Sequence, residues 1–171
     1  MVADHGGVVW QTAWRLLGHE SDAADCFQNT FLAAVQAAQR TPVEHWPAFL
    51  KKLATARAID LLRARIRDAD RRATNSPLTM LADRGPLPDQ IAAEQELMSR
   101  LRKAIVSLPH LQAQVFCLAV IEELSHAEIA GQLQITANHV GVLVHRARAA
   151  IRTILDSSDI PQTPIPAGRR P

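Results

Sequence analysis

Three sets of side chains in this sequence have types and spacings suited to chemistry. At helical spacing along 137–155, Asn138, His139, Val142, His145, Arg146 and Ala149 share one face, with Leu143 on its flank. Such a face fits a DNA major groove. Asn bonds adenine, Arg bonds guanine or phosphate, and Val or Leu meets a thymine methyl. The second set is a run of cations over 51–72. Lys51, Lys52, Arg57, Arg63, Arg65, Arg67, Arg71 and Arg72 stand against Asp60, Asp68 and Asp70, a net +5. With Arg146, Arg148 and Arg152 over 140–155, it forms two basic blocks that suit a polyanion, at a salt-dependent affinity. The plain alternative is a pair of solvated helix faces. The third set is Asp22, Asp25 and Gln28, three residues apart on one helical face. Asp22 and Asp25 also fit helix N-terminal capping and dipole compensation, whereas the mid-helix Gln28 suits a protein partner.

Enzyme chemistry finds no counterpart. The sequence has no GxSxG, no phosphate-cradling Walker loop and no convergent pair of acids. Its seven histidines form no HExxH and no His–Cys cluster, so no metal site is expected. Cys26 and Cys117 lie too far apart in sequence for a CxxC knuckle and read as small core residues. No catalysis, no cofactor and no small-molecule substrate are expected.

The elements that must position these groups are helices. Apolar residues make up 47% of the 171, tyrosine is absent, and Ala, Leu, Arg and Gln abound. That balance argues for an all-α chain. Helical spacing predicts a first helix over about 5–18, stopped by Gly18, with Trp10 and Trp14 in its core. Ser21 is expected to cap a second helix, its apolar stripe formed by Phe27, Phe31, Ala34 and Val35. Pro47 suits the first turn of a third, running to about Asp70, with Phe49, Leu50, Leu53, Ala56, Ile59 and Leu62 buried. Periodicity is lost over 73–90, where Asn75-Ser-Pro and Gly85-Pro-Leu-Pro88 mark a flexible linker. It resumes near Asp89, and Pro109 opens another helix to about Glu122. Ser125 then caps His126–Leu133, Gln134-Ile-Thr136 turns, and Thr136 caps a last helix to about Leu155.

A short capped helix, a three-residue turn and a longer capped helix make a helix-turn-helix. Ala130 is small where the two helices meet, Ile135 plugs the turn, and Val140, Val144, Ala147, Ile151 and Leu155 form the inward stripe. The chain therefore reads as two small helical modules, 4–72 and 91–155, joined by the 73–90 linker and followed by a disordered tail, 156–171. No apolar run reaches the length of a membrane span, so no membrane insertion is expected. No basic-then-apolar leader opens the sequence, which makes a cytoplasmic location the expectation.

These pieces together resemble bacterial RNA polymerase sigma factors of the extracytoplasmic-function group, which keep two modules called region 2 and region 4. Asp22-Ala-Ala-Asp-Cys-Phe-Gln-Asn-Thr-Phe-Leu32 resembles the region 2 helix that docks on the polymerase core. The resemblance assigns Asp22, Asp25, Gln28, Asn29 and Leu32 to that contact. Phe49 to Arg63 resembles the segment that reads and opens the minus-10 element, and Leu124 to Arg148 the helix-turn-helix that reads the minus-35 element. It implies that Trp46, on the preceding Pro-flanked loop, stacks an unpaired base. It also implies promoter contacts by Lys51, Lys52, Arg57, Arg63, Arg65, Arg67, Asn138, His139, Val142, Leu143, Arg146 and Arg148. The implied partners are core RNA polymerase, promoter DNA and an anti-sigma factor. The sequence departs from the family pattern at Asn29 (usually Glu), Phe49 (usually Trp) and Ala56 (usually Asn). Gly141 and Leu143 stand where Lys and Arg are frequent. Two other readings fit the same residues: a helix-turn-helix regulator on an unrelated helical domain, and a degenerate sigma-like factor acting through protein contacts.

Overall fold

A computed structural model describes residues 2–40, 42–75 and 89–157. All regular elements among them are helices, so the chain is all-α. The first module holds α1 (Val2–Leu17), α2 (Glu20–Ala38) and α3 (Trp46–Asn75). The second holds α4 (Asp89–Ser107), α5 (His110–Phe116), α6 (His126–Leu133) and α7 (Ala137–Ser157). The expected linker lies outside the described residues over 76–88, as does the expected tail over 158–171.

Local signals set most of the boundaries. Gly18 ends α1 in the left-handed conformation, φ +63°, and its amide bonds Trp14 O at 2.8 Å. Pro47 sits in the first turn of α3, where its missing N–H leaves no intrahelical bond unmade. Pro109 caps α5. Cys117–Ile121 then continues α5 as a π-turn, which Glu122 closes through an amide bond to Cys117 O at 3.0 Å. Ser125 caps α6 with a reciprocal box. Its Oγ accepts from the Glu128 amide at 3.2 Å, and the Glu128 carboxylate takes the Ser125 amide at 2.8 Å. The Ser125 hydroxyl and amide hold the Glu128 carboxyl below its usual range. Ser21 does not cap α2. His19 holds that position, and Ser21 sits one residue inside, its hydroxyl paired with His19 Nδ1 at 3.0 Å.

The two modules share one core. Leu16, Leu17, Cys26, Ile59 and Leu62 pack with Ile105, Leu108, Phe116, Cys117 and Ile151 in a single cluster. Burying each large aliphatic there contributes about 1.5–3 kcal/mol relative to leaving it exposed. A smaller cluster under the helix-turn-helix joins Val115, Leu118, Ile129, Val140, Leu143 and Val144. Another fixes the start of α3 with Val9, Phe31, Ala34, Leu50 and Ala54. Both cysteines are buried, as expected, and burial pushes the thiols up to about 11 for Cys26 and about 12 for Cys117.

Three expectations about faces are corrected. Trp10 and Trp14 are not core residues. The buried stripe of α1 is Val9, Thr12, Ala13, Leu16 and Leu17, and the two indoles lie off it, stacked on each other at 6.3 Å. Val35 lies outside the buried stripe of α2, which is Ala23, Cys26, Thr30, Phe31 and Ala34. Phe49, Leu53 and Ala56 are only half-buried on α3, whose inward row is Ala48, Leu50, Ala54, Thr55, Ala58, Ile59 and Leu62.

Candidate nucleic-acid and polymerase interfaces

The helix-turn-helix is built from its turn outward. Gln134 takes the left-handed conformation, φ 55° and ψ 42°, and its amide returns to Ala130 O. That reverses the chain in three residues. Thr136 Oγ1 then accepts from the His139 amide at 3.2 Å and starts α7. The inward stripe of α7 is Val140, Leu143, Val144, Ala147 and Ile151. Asn138, His139, Val142, His145, Arg146, Arg148 and Ala149 are exposed on the remaining surface.

Leu143 is therefore not part of the groove-facing set. It is 8% exposed and packs with Ile129 and Val140. The physical reason is width. A helix against a core buries a stripe of 100° or more, which takes in the i+3 neighbour of Val140 as well as the i+4 one. A cation at position 143 would lie in this apolar cluster, so Leu143 marks a packing site and not a lost DNA contact. Gly141 lines a shallow groove with His126, Val142 and Arg146.

The cations of α3 have a different setting. Lys52, Arg63 and Arg67 fall within about 60° of one another around the helix. Lys52 Nζ donates to Gln132 O at 3.2 Å and lies 4.7 Å from the centre of the Phe49 ring. Partial burial of that ammonium lowers its pKa. Lys51 Nζ donates to Glu122 O at 3.0 Å, and Arg63 Nη2 donates to Leu108 O at 2.8 Å. Arg65 pairs with Asp22 at 2.9 Å, while Arg57 and Arg67 are exposed. Trp46 opens α3 half-buried, its ring edge-on to Phe49 at 6.1 Å.

On α2, Asp25, Gln28, Asn29, Leu32, Val35 and Gln36 are exposed together. Leu32 is 59% exposed and Val35 43%, a mixed polar and apolar face without an intramolecular cover. Asn29 Nδ2 turns back to Asp25 O at 2.8 Å. Asp22 is half-buried and held by Arg65.

Two residues outside the expected sets stand at the junction. Glu122 is 4% exposed, and Lys51 Nζ lies 3.4 Å from its Oε2 and Arg15 Nη1 3.8 Å from its Oε1. The acid pair Glu122–Glu123 after an apolar run was the one signal in the sequence, and such acids are usually solvated. No group of three or more His, Cys, Asp or Glu among the described residues could hold a metal. No helix among them is long and apolar enough to cross a membrane.

Comparison with known proteins agrees with this architecture. Residues 1–68 match the family model for Sigma-70 region 2, and residues 98–151 that for Sigma-70, region 4. The chain is 31% identical over 153 residues to the ECF RNA polymerase sigma factor SigW of Bacillus subtilis, covering 84% of this chain and 81% of that protein. It is 29% identical over 155 residues to the ECF RNA polymerase sigma factor SigE of Mycolicibacterium smegmatis. That match covers 91% of this chain and 60% of that protein. Among solved structures, CnrH in complex with the cytosolic domain of CnrY superposes with a TM-score of 0.59 at 26% identity. The superposition covers 92% of this chain and 86% of that one.

Proposed function

The chain belongs to the extracytoplasmic-function group of RNA polymerase sigma factors, and on that premise we propose that it binds core polymerase and directs promoter-specific initiation. It does so in the cytoplasm, with no catalysis of its own. The observation that carries the reading is the exposed face of α7. Asn138, His139, Val142 and Arg146 lie outward on a capped helix whose other side is locked in a core. This matches the demand for a rigid reader of base edges in a major groove.

In this reading α7 grips the minus-35 element, with Arg146 and Arg148 on phosphates or guanine. The α3 cations Lys51, Lys52, Arg57, Arg63, Arg65 and Arg67 follow the backbone at the minus-10 element, and Trp46 stacks an unpaired base. The exposed α2 face, Asp25, Gln28, Asn29 and Leu32, docks on polymerase, with Asp22 tying it to α3 through Arg65. The segment between α3 and α4 links the modules, so that each binding event raises the effective concentration for the other. The likeness to CnrH, solved in complex with CnrY, supports an anti-sigma factor as the third partner.

In vitro transcription with core polymerase on a promoter library tests the proposal. Specific transcripts that need both core and this chain, and that disappear with Asn138→Ala plus Arg146→Ala, are expected. A folded chain that binds core but starts no transcript would replace the reading with that of a sigma-like interaction module.

A further inference from the structure

One flank of the α7 reading face has no side chain of its own. At about 100° per residue, Asn138, Val142, His145 and Ala149 fall within about 60° of one another, opposite the inward stripe. Arg146 lies about 70° to one side of that centre and Gly141 about 70° to the other. A helix with its side chains is about 10–12 Å across, close to the width of a major groove. Its outward centre therefore meets base edges, and its flanks meet the phosphates of the two strands. Arg146 serves one flank. On the other, Arg148 lies about 10 Å further along the helix, and position 141 itself offers no group.

That place is filled from a different element. A Cβ on Gly141 would lie 3.6 Å from His126 Cε1 and 3.7 Å from its Nδ1, with no other ring atom within 4 Å. The imidazole thus stands over the bare backbone of α7 on one edge. It borders a single shallow groove with Asn138, Gly141, Val142, His145 and Arg146. His126 is exposed, and among the described residues nothing hydrogen-bonds its ring. A ring nitrogen is therefore available as a donor. The start of α6 is itself a poor anion site. Ser125 Oγ already accepts from the Glu128 amide, and the Glu128 carboxylate folds back onto the Ser125 amide and hydroxyl at 2.8 and 2.6 Å.

We propose that His126 contacts DNA from outside the recognition helix, its imidazole donating to a phosphate oxygen of the strand along the Gly141 flank of α7. The inference deepens the reading of α7 as the minus-35 helix and rests on it. Gly141 is bare where the ring crosses, so α6 supplies the flank contact that α7 lacks. The first helix of the motif then helps to fix the register of the second on the duplex, beyond bracing it. A methyl group at 141 fits beneath the ring at ordinary contact distance, so this contact survives Gly141→Ala.

The test uses the whole chain with core polymerase on a promoter duplex obtained from the library transcription. Single phosphates across the minus-35 element are replaced in turn by uncharged methylphosphonates. With the native chain, one replacement on the Gly141-side strand is expected to weaken binding about tenfold, the worth of a hydrogen bond to a charged group. His126→Ala should weaken binding to the unmodified duplex by a similar factor. It should also make that one replacement silent, while replacements on the Arg146 side keep their cost. His126→Phe keeps a ring over Gly141 without a donor and is expected to behave as His126→Ala does. Native binding by either variant, or a folded variant in which every phosphate keeps its native cost, overturns the contact. In that case the α7 reading still stands if Asn138→Ala with Arg146→Ala lowers binding. If that pair also leaves binding unchanged, the α7 reading fails and the His126 contact falls with it.

Discussion

The two basic helices of this chain, α3 and α7, carry the same kind of charge in opposite circumstances. On α7 Asn138, His139, Val142 and Arg146 are exposed, while the opposite side packs on the core. On α3 three of the cations reach carbonyls of the other module, and a fourth, Arg65, pairs with Asp22. Charge in a sequence therefore says what a helix can bind, while its neighbours decide whether the charge is available. The outward α7 groups are open to solvent, whereas these α3 cations are already engaged.

The sharpest way to break this comparison is to weaken each helix in turn. Arg63→Ala with Arg65→Ala is expected to lower promoter occupancy with core polymerase more than Asn138→Ala with Arg146→Ala. A lost bidentate base contact costs about 1–3 kcal/mol of discrimination. The log-affinity slope against log salt should fall by about one unit for each phosphate-contacting Arg removed. Footprinting over a salt series measures both. A larger loss from the α7 pair would show that minus-35 contacts dominate.

Next in size is the other end of the module junction. A Cβ at Gly18 would collide with the Arg102 guanidinium, and φ is +63° there. Gly18→Ala is expected to cost about 1–2 kcal/mol from the left-handed backbone alone, with the displaced Arg102 adding to it. Thermal unfolding should shift down by about 2–4 °C per kcal/mol. Gly7→Ala is the control, since nothing lies within 4 Å of a Cβ at that position.

The thiols report on the shared core behind α3. Burial raises Cys26 to about 11 and Cys117 to about 12, from 9.0. A folded-state value above the unfolded one stabilises the native chain fully below pH 9, and that stabilisation is lost as the pH rises toward 11–12. Denaturant unfolding at pH 8 and pH 10.5 should show the fall, and Cys26→Ala with Cys117→Ala should flatten it. Thiol reagents at pH 8 should leave the native chain unlabelled.

The smallest expected effect is on α7. Gly141→Ala would place its Cβ 3.6 Å from His126 Cε1, an ordinary contact. The variant should gain up to about 1 kcal/mol of helix propensity without loss of minus-35 binding, measured by unfolding and by DNA titration. Weaker DNA binding in that variant would mean the groove beside His126 is itself a contact.

What the sequence determined by itself was local. Gly18, Pro47, Pro109, Ser125 and Thr136 act on amides within one turn of themselves, so their positions decide where helices start and stop. The all-α class, the helix-turn-helix and the two-module order follow from those stops and the apolar period between them. Tertiary structure decided the rest. Leu143 against Val142 and the outward Trp10 and Trp14 depend on how wide a stripe each neighbour covers, which periodicity leaves open. The Ser21 cap failed because α2 begins earlier, at Glu20. The partners of Arg15, Lys51, Lys52, Arg63 and Arg102 lie 45 to 106 positions away. Only packing of the two modules on one core brings a helix end within reach of a cation, and no spacing in the chain encodes that meeting.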